Sequence, residues 1–568
     1  MTGALLALPA CGGSAPQHDT NTVPVAPAGP LRLALETAIP SLDPAAASDA
    51  VSRRITSQLF DTLLEWDPSG TTLHPEILAA LPTISDDGLT LTMTLRHGAD
   101  ARRFAADTCL KGQARPVRAS DVAASLLRID PIRHPAYALL AGRIAGLDLH
   151  HRSPGSPPGI HADDDHTLTL RLTRPQPELP AILASPMLAI VPPECITYYD
   201  GRDAAHPPFA RHPVGSGPYI LDHLRSELPR EVLLLRRPDD PPAPACDNPV
   251  ALTHFNDPEP ALRSFQAGEL AAIAPGQSQF AELVADPSSA TLRSGAAPPG
   301  SQLQRFPTLA TTLLVFRMRD PELGHHPDPA IDAEHRTLRR AIALAFDAVR
   351  YHRVIRNGAW ATPRARIVPR GLGGAFDETP LHRFAPPAAD LEQARQLLAA
   401  AHLDAPRTLR YWTGVDEGEQ QEAVILRDAL RPLGIDLEIT RRPNYLGEVL
   451  AGTSDAQLFA LRYDADYLDA ASFLAPFTCA APDNFSGFCD PAYDAAFAAF
   501  TQIPPGPARD HAAAELDRHL GDAVPVRPVD QPEAWYIVQP WLQPVTRHPL
   551  AGLRIELLCP RTRPPAVP

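Results

Sequence analysis

Lysine is almost missing from this sequence: Lys111 stands alone among 51 Lys and Arg residues, which removes most lysine chemistry. Long apolar runs are missing too. After Pro30 no stretch reaches the roughly 18 to 20 uninterrupted apolar residues of a membrane-spanning helix. With 44% hydrophobic and 21% charged residues, the balance is that of a globular protein. Positive charge is in deficit, 51 basic against 66 acidic residues for a net −15, which excludes a surface built to grip a phosphate backbone and so excludes nucleic acid as a partner. Enzyme signatures are also absent. There is no G-x-S-x-G elbow, no G-x-x-x-x-G-K-S/T phosphate loop, no H-E-x-x-H and no G-x-G-x-x-G. Gly215-Ser216-Gly217 is a tight turn, because Val214 stands where an elbow needs glycine. Among the cysteines no C-x-x-C pair and no zinc-finger spacing to histidine occurs, which excludes a structural zinc site. The histidine clusters at His150-His151, His161 with His166, and His325-His326 read as solvated loops. No catalytic residue, metal or cofactor is implied.

What is present is an alternation of strand and helix patterns. Leu31, Leu33 and Leu35, then Leu89, Leu91, Met93 and Leu95, then Leu168, Leu170 and Leu172 repeat at period two and predict half-buried strands. Val51, Ile55, Leu59 and Leu63 recur every four residues, one face of a helix. Leu338, Ile342, Phe346 and Val349 predict another helix, and Asp390 with Gln393 makes a capping-box signature before Leu397 and Leu398. Ala423, Leu426, Leu430 and Leu433 lead through Gly434 into the alternating Ile435 to Ile439, an α/β unit. Pro- and Gly-rich stretches at 153–159, 237–249, 296–300 and 504–507 are the loop and linker candidates, and 568 residues suffice for about three or four compact units.

The N-terminus, a short apolar run ending in Leu8-Pro9-Ala10-Cys11-Gly12-Gly13, resembles a bacterial lipoprotein signal, with Cys11 as the lipid-anchored residue and residues 1–30 as signal and linker. Export would place the remaining cysteines in an oxidising compartment. Cys479 and Cys489 enclose nine turn-rich residues, a loop short enough to close easily, and are read as a disulfide; two buried thiols are the other reading.

A series of phrases then points to one family. Leu42-Asp43-Pro44, Leu59-Phe60-Asp61-Thr62-Leu63, Leu73-His74-Pro75-Glu76-Ile77, Val117 to Val122, Pro213 to Tyr219, Phe265 to Leu270 and Leu338 to Asp347 occur in order. Together they resemble the family 5 extracellular solute-binding proteins, the oligopeptide, dipeptide and nickel receptors of bacterial ABC importers. The Tyr463-Asp464-Ala465-Asp466-Tyr467-Leu468-Asp469 stretch is similar to the peptide receptors, in which an Asp at the position of Asp466 holds the ligand's α-ammonium group. Where some oligopeptide receptors carry an acidic contact after the Asp-Pro phrase, this chain has Ser48 and Asp49.

The resemblance implies an α/β, two-lobe periplasmic-binding-protein-like fold with a hinge. Residues 31–295 would form lobe I with a subdomain inserted at about 75–200, 296–479 lobe II, and 480–568 a return to lobe I. It further implies capture of a small peptide between the lobes and delivery to the permease subunits of an ABC transporter, outside the cytoplasm, with membrane contact only through the lipid anchor. Asp466 would bind the peptide α-amino group, with Tyr463, Tyr467, Asp469 and Arg462 as further ligand contacts. Two other readings stand beside it: a receptor of the same fold for a metal chelate or haem, favoured by Arg462, and an exported hydrolase working with paired acids.

Overall fold

The computed structural model describes residues 26–148, 159–201, 208–238, 248–287, 289–358, 361–363, 366–372 and 387–561. Cys11 and most of the 153–159 and 237–249 stretches lie outside them. Among the described residues the largest sheet has twelve strands. They are β1 (Leu31–Leu35), β2 (Tyr219–Leu221), β3 (Glu231–Arg236), β4 (Val250–His254), β5 (Ala272–Ile273), β6 (Gln302–Pro307), β7 (Ala310–Phe316), β8 (Ala361–Pro363), β9 (Arg407–Thr413), β10 (Ile435–Arg441), β11 (Leu458–Asp464) and β12 (Val526–Val538). The order is β2-β3-β4-β1-β5-β12-β7-β11-β9-β10, with β6 and β8 also paired to β12.

Strand β12 divides this array into two lobes. Its C-terminal half, Glu533 to Val538, pairs with β6 and at its end with β5, whereas Val526 to Asp530 pair with β7 and 530–532 with β8. The second crossing runs from β6 through Thr308 and Leu309 into β7, antiparallel to the first. Thus β1 to β5 form one lobe's sheet and β7 to β11 the other's, with two strands passing between them. The pairing puts the C-terminal return to the first lobe at about residue 533, later than the 480 expected from sequence, because Val526 to Asp530 complete the second lobe's sheet beside β7 before β12 crosses.

Local sequence explains the elements. The β1 pattern buries Leu31, Leu33 and Leu35 and exposes Arg32. Met93 and Leu91 pair across to Leu168 and Leu170 in a separate four-stranded antiparallel sheet carried by the first lobe (Thr83–Ile84, Thr90–Thr94, Thr167–Arg171, Ile160–Ala162). Helix α1 (Ala50–Leu59) starts where Asp49 accepts the Ser52 N–H at 2.8 Å. It stops one turn short of the four-residue repeat, and Leu63 is buried beyond it. The Gly-Ser-Gly turn packs on that end: a Cβ on Gly215 would lie 2.0 Å from the Leu59 carbonyl, so the close approach requires glycine. The helix expected through Leu338 to Val349 is two helices, Pro329–Ala345 and Ala348–Ile355, because Phe346 turns extended and Asp347 caps the second. Asp390 falls in the first turn of the helix Pro387–Ala400 rather than at its cap. Gly434 adopts φ 73°, the left-handed stop between the second lobe's helix Glu417–Leu430 and β10.

Candidate functional site

A cavity of about 880 Å³ opens between the lobes. The first lobe contributes Glu36, just past β1, Arg53 and Arg54 from α1, and Arg547; the second contributes Arg462, Tyr463 and Asp464 at the end of β11 and Asp466 just beyond; Trp535 comes from the shared strand β12. Strand β11 ends at Asp464, opposite Ala310, and Ala465 N–H still bonds to the Leu309 carbonyl, so Asp466 is displaced from the sheet into the cavity. Its own N–H donates to Ser472 Oγ at 3.0 Å, which fixes the turn.

The Asp466 carboxylate meets Arg53 Nη1 at 3.4 Å through Oδ1. Tyr463 O–H has one proton for two acceptors, Asp466 Oδ2 at 3.5 Å and Asp483 Oδ2 at 3.3 Å. Burial pushes the Asp466 carboxyl up to about 6; Arg53 opposes the shift, and the nearby Asp483 and Asp464 add to it. Its side chain remains 30% exposed, toward the cavity. Here is a carboxylate weakly paired by the protein and open to an incoming cation. Asp464 is the contrast. Burial alone would raise its carboxyl, but Arg462 holds it below the usual range with two bonds of 2.9 and 3.1 Å. Arg54 does the same to Glu36 with two bonds of 3.0 Å.

Of the five ligand contacts expected from sequence, Asp466, Tyr463 and Arg462 line the cavity, Arg462 with its fork occupied by Asp464. Tyr467 and Asp469 do not line it. Tyr467 is buried beside Arg143. Asp469 takes two bonds of 2.9 Å from Arg509 on helix α2 (Pro507–Ala523). Both belong to a seam outside the cavity, where Glu178 of the first lobe, buried, accepts from Arg143 at 2.7 Å and faces Arg509 at 3.7 Å. Arg174 donates to Thr501 at 3.0 Å along the same seam. Cys479 and Cys489 are joined by a disulfide, and the loop they close carries Asp483 to Tyr463. Cys109 is likewise joined to Cys195.

Sequence reasoning passed over Arg53 and Asp483. Asp49 lies four residues before Arg53, the spacing of an ordinary surface ion pair on a helix, yet its carboxylate caps α1 instead. The available signal was two adjacent arginines between Val51 and Ile55 in a helix whose body is buried.

Two α/β lobes joined by two crossing strands, with a cavity between them that carries a few charged groups, define the two-lobe binding-protein fold. The model for bacterial extracellular solute-binding proteins, family 5, middle part, matches residues 72–485. The chain belongs to this family and is extracytoplasmic. It is 23% identical over 495 residues to the peptide transport periplasmic protein SapA of Salmonella typhimurium, covering 85% of this chain and 83% of that one. With the periplasmic murein peptide-binding protein MppA of Escherichia coli it shares 24% over 525 residues, 89% of this chain and 88% of that one. In fold it matches the MppA structure with a TM-score of 0.73 at 21% identity, covering 93% of this chain and 97% of that chain. The Helicobacter pylori DppA structure in complex with peptide STSA gives 0.73 at 19%, covering 93% and 96%.

Proposed function

We propose that this protein captures peptides between its lobes and delivers them to the permease of an ABC importer. The observation that carries the reading is Asp466: a carboxylate at the cavity wall, pushed up by burial and held by the protein only through a 3.4 Å contact and a shared tyrosine proton. A peptide's α-ammonium group supplies the missing charge through a charge-assisted bond. The extended main chain of the ligand then fills the cavity with hydrogen bonds that ignore side-chain identity. The names of relatives that bind murein peptide and transport peptide agree with this. Arg462, which would serve a haem or chelate ligand, is engaged by Asp464 instead. Cys11 anchors the chain to the membrane by lipid in this reading, with lobe I at about 31–295, lobe II from about 296, and the C-terminal portion returning to lobe I.

The test is calorimetry on four combinations, wild type and Asp466→Asn with a co-purifying peptide and its N-acetyl form. Losing one partner of a buried pair costs about 3 to 5 kcal/mol, so either change alone weakens binding by at least about a hundredfold. The two together add little further, because they delete one interaction. Unchanged affinity in Asp466→Asn removes the residue from the site. For the anchor, Cys11→Ser expressed with an adequate signal is released from membranes, and equal membrane association of both forms rejects it.

A further inference from the structure

Arg53 is the anomaly of the cleft. Arg54 and Arg462 each direct two donors at a carboxylate within the protein. Arg53 is 4% exposed and lines the same cavity; among the described residues its one hydrogen bond is the 3.4 Å contact to Asp466, and its Nε is buried without a partner. A guanidinium has five N–H donors in a rigid fork. Cutting Nε off from water without a partner is costly, and with one Nη spent on Asp466 the rest of the fork stands at the cavity wall, placed for something that enters.

What enters must also satisfy Asp466, whose carboxylate is the neighbour of this guanidinium. We propose that the site reads an intact α-amino acid head group, its ammonium on Asp466 and its carboxylate, borne by the same carbon, on Arg53. The protein's adjacent positive and negative groups are the charge complement of that zwitterion. In an ordinary α-linked peptide the atom beside the ammonium-bearing carbon is a neutral amide carbonyl, which answers Arg53 with a bond about half as strong as a carboxylate's. Peptides linked through a side chain, as in γ-glutamyl peptides, keep the free carboxylate. The inference deepens the peptide reading and rests on it: the ligand class becomes side-chain-linked peptides.

Two isomers with the same composition and the same charges decide the matter: γ-L-glutamylglycine, which keeps the zwitterionic head, and α-L-glutamylglycine, which does not. Calorimetry on the wild-type protein is expected to give the γ isomer an advantage of about tenfold or more, and Arg53→Gln to reduce the ratio to about twofold or less. The wild-type comparison requires no variant, so a misfolded Arg53→Gln does not block it. Equal affinities, a tighter α isomer, or a ratio unchanged by Arg53→Gln each overturn the head-group proposal, and a tighter α isomer does so while leaving the peptide reading intact. Absence of binding by both isomers also overturns it, whereas the peptide reading falls only if the N-acetylated co-purifying ligand binds as well as the free one.

Discussion

The hydroxyl of Thr308 donates to the carbonyl of Pro532 at 2.6 Å, tying together the two strands that cross between the lobes at the point where each leaves one sheet for the other. Gln531 Nε2 reinforces the tie by donating to the Thr308 carbonyl at 2.7 Å. Opening and closing of the lobes is absorbed by a few residues at such crossings, so the stiffness of this pair governs the motion.

Thr308→Val keeps the side-chain shape and deletes the hydroxyl. The expected cost is about 1 kcal/mol of stability, read as a lowered midpoint in denaturant, together with a faster ligand off-rate in stopped-flow measurements. A stability loss with an unchanged off-rate would separate the bond from lobe movement.

Binding of a peptide ammonium needs an ionised Asp466, whose carboxyl stands at about 6 in the free protein. Affinity should therefore be greatest near pH 7, fall toward tenfold per pH unit below about 6 with a proton released to buffer on binding in that acidic range, and fall again above about pH 8 as the peptide's α-amino group loses its proton. In Asp466→Asn both the acidic slope and the proton release should vanish. Calorimetry in buffers of different ionisation heat measures the release directly, and identical pH profiles in the two proteins would contradict the assignment.

Glu178 lies outside the cavity, yet it meets Arg509 across the seam between the lobes. Breaking a buried charge contact by removing one partner is strongly destabilising to the state that contains it, here the lobe arrangement in which Glu178 faces Arg509. Glu178→Gln should shorten ligand residence by about tenfold while leaving the association rate within about threefold. Small-angle scattering at saturating ligand should show a more open particle. Unaltered residence time would confine Glu178 to the first lobe's own stability through Arg143.

The Cys479–Cys489 link closes the loop that presents Asp483 to Tyr463. Replacing both cysteines with serine is expected to cost about 2 to 3 kcal/mol, the lower part of the range because the loop is short. Freed from Asp483, the Tyr463 proton serves Asp466 alone, so the Asp466 titration should move down. Peptide mapping of unreduced protein checks the link, and thermal melting its cost.

The strands of the fold were legible wherever one face is buried and the other wet, as in β1 and in the Leu91–Met93 pairing, because period-two alternation follows directly from the pleat. Helix ends were read less well. Phe346 continues the apolar repeat in sequence but turns extended, since the Asp347 side chain offers the next helix a cap that periodicity does not register. Asp466 could be found by resemblance. Tyr467 and Asp469 could not be sorted from it, because β11 ends at Asp464 and alternation no longer says which way a side chain faces. Arg53 could not be singled out from sequence, because its partner Asp466 lies 413 residues away.

Strand β12 has a consequence for the order in which the molecule comes into being. It supplies the neighbour of β5 in one lobe and of β7 in the other, and it begins only at Val526. Domains that hold all their strands in one stretch can fold as soon as that stretch emerges during synthesis. Here neither lobe can complete its sheet until nearly the whole polypeptide is present. The nascent chain stays without a finished interlobe sheet on either side for most of its length, the kind of state in which a polypeptide can be threaded through a membrane channel.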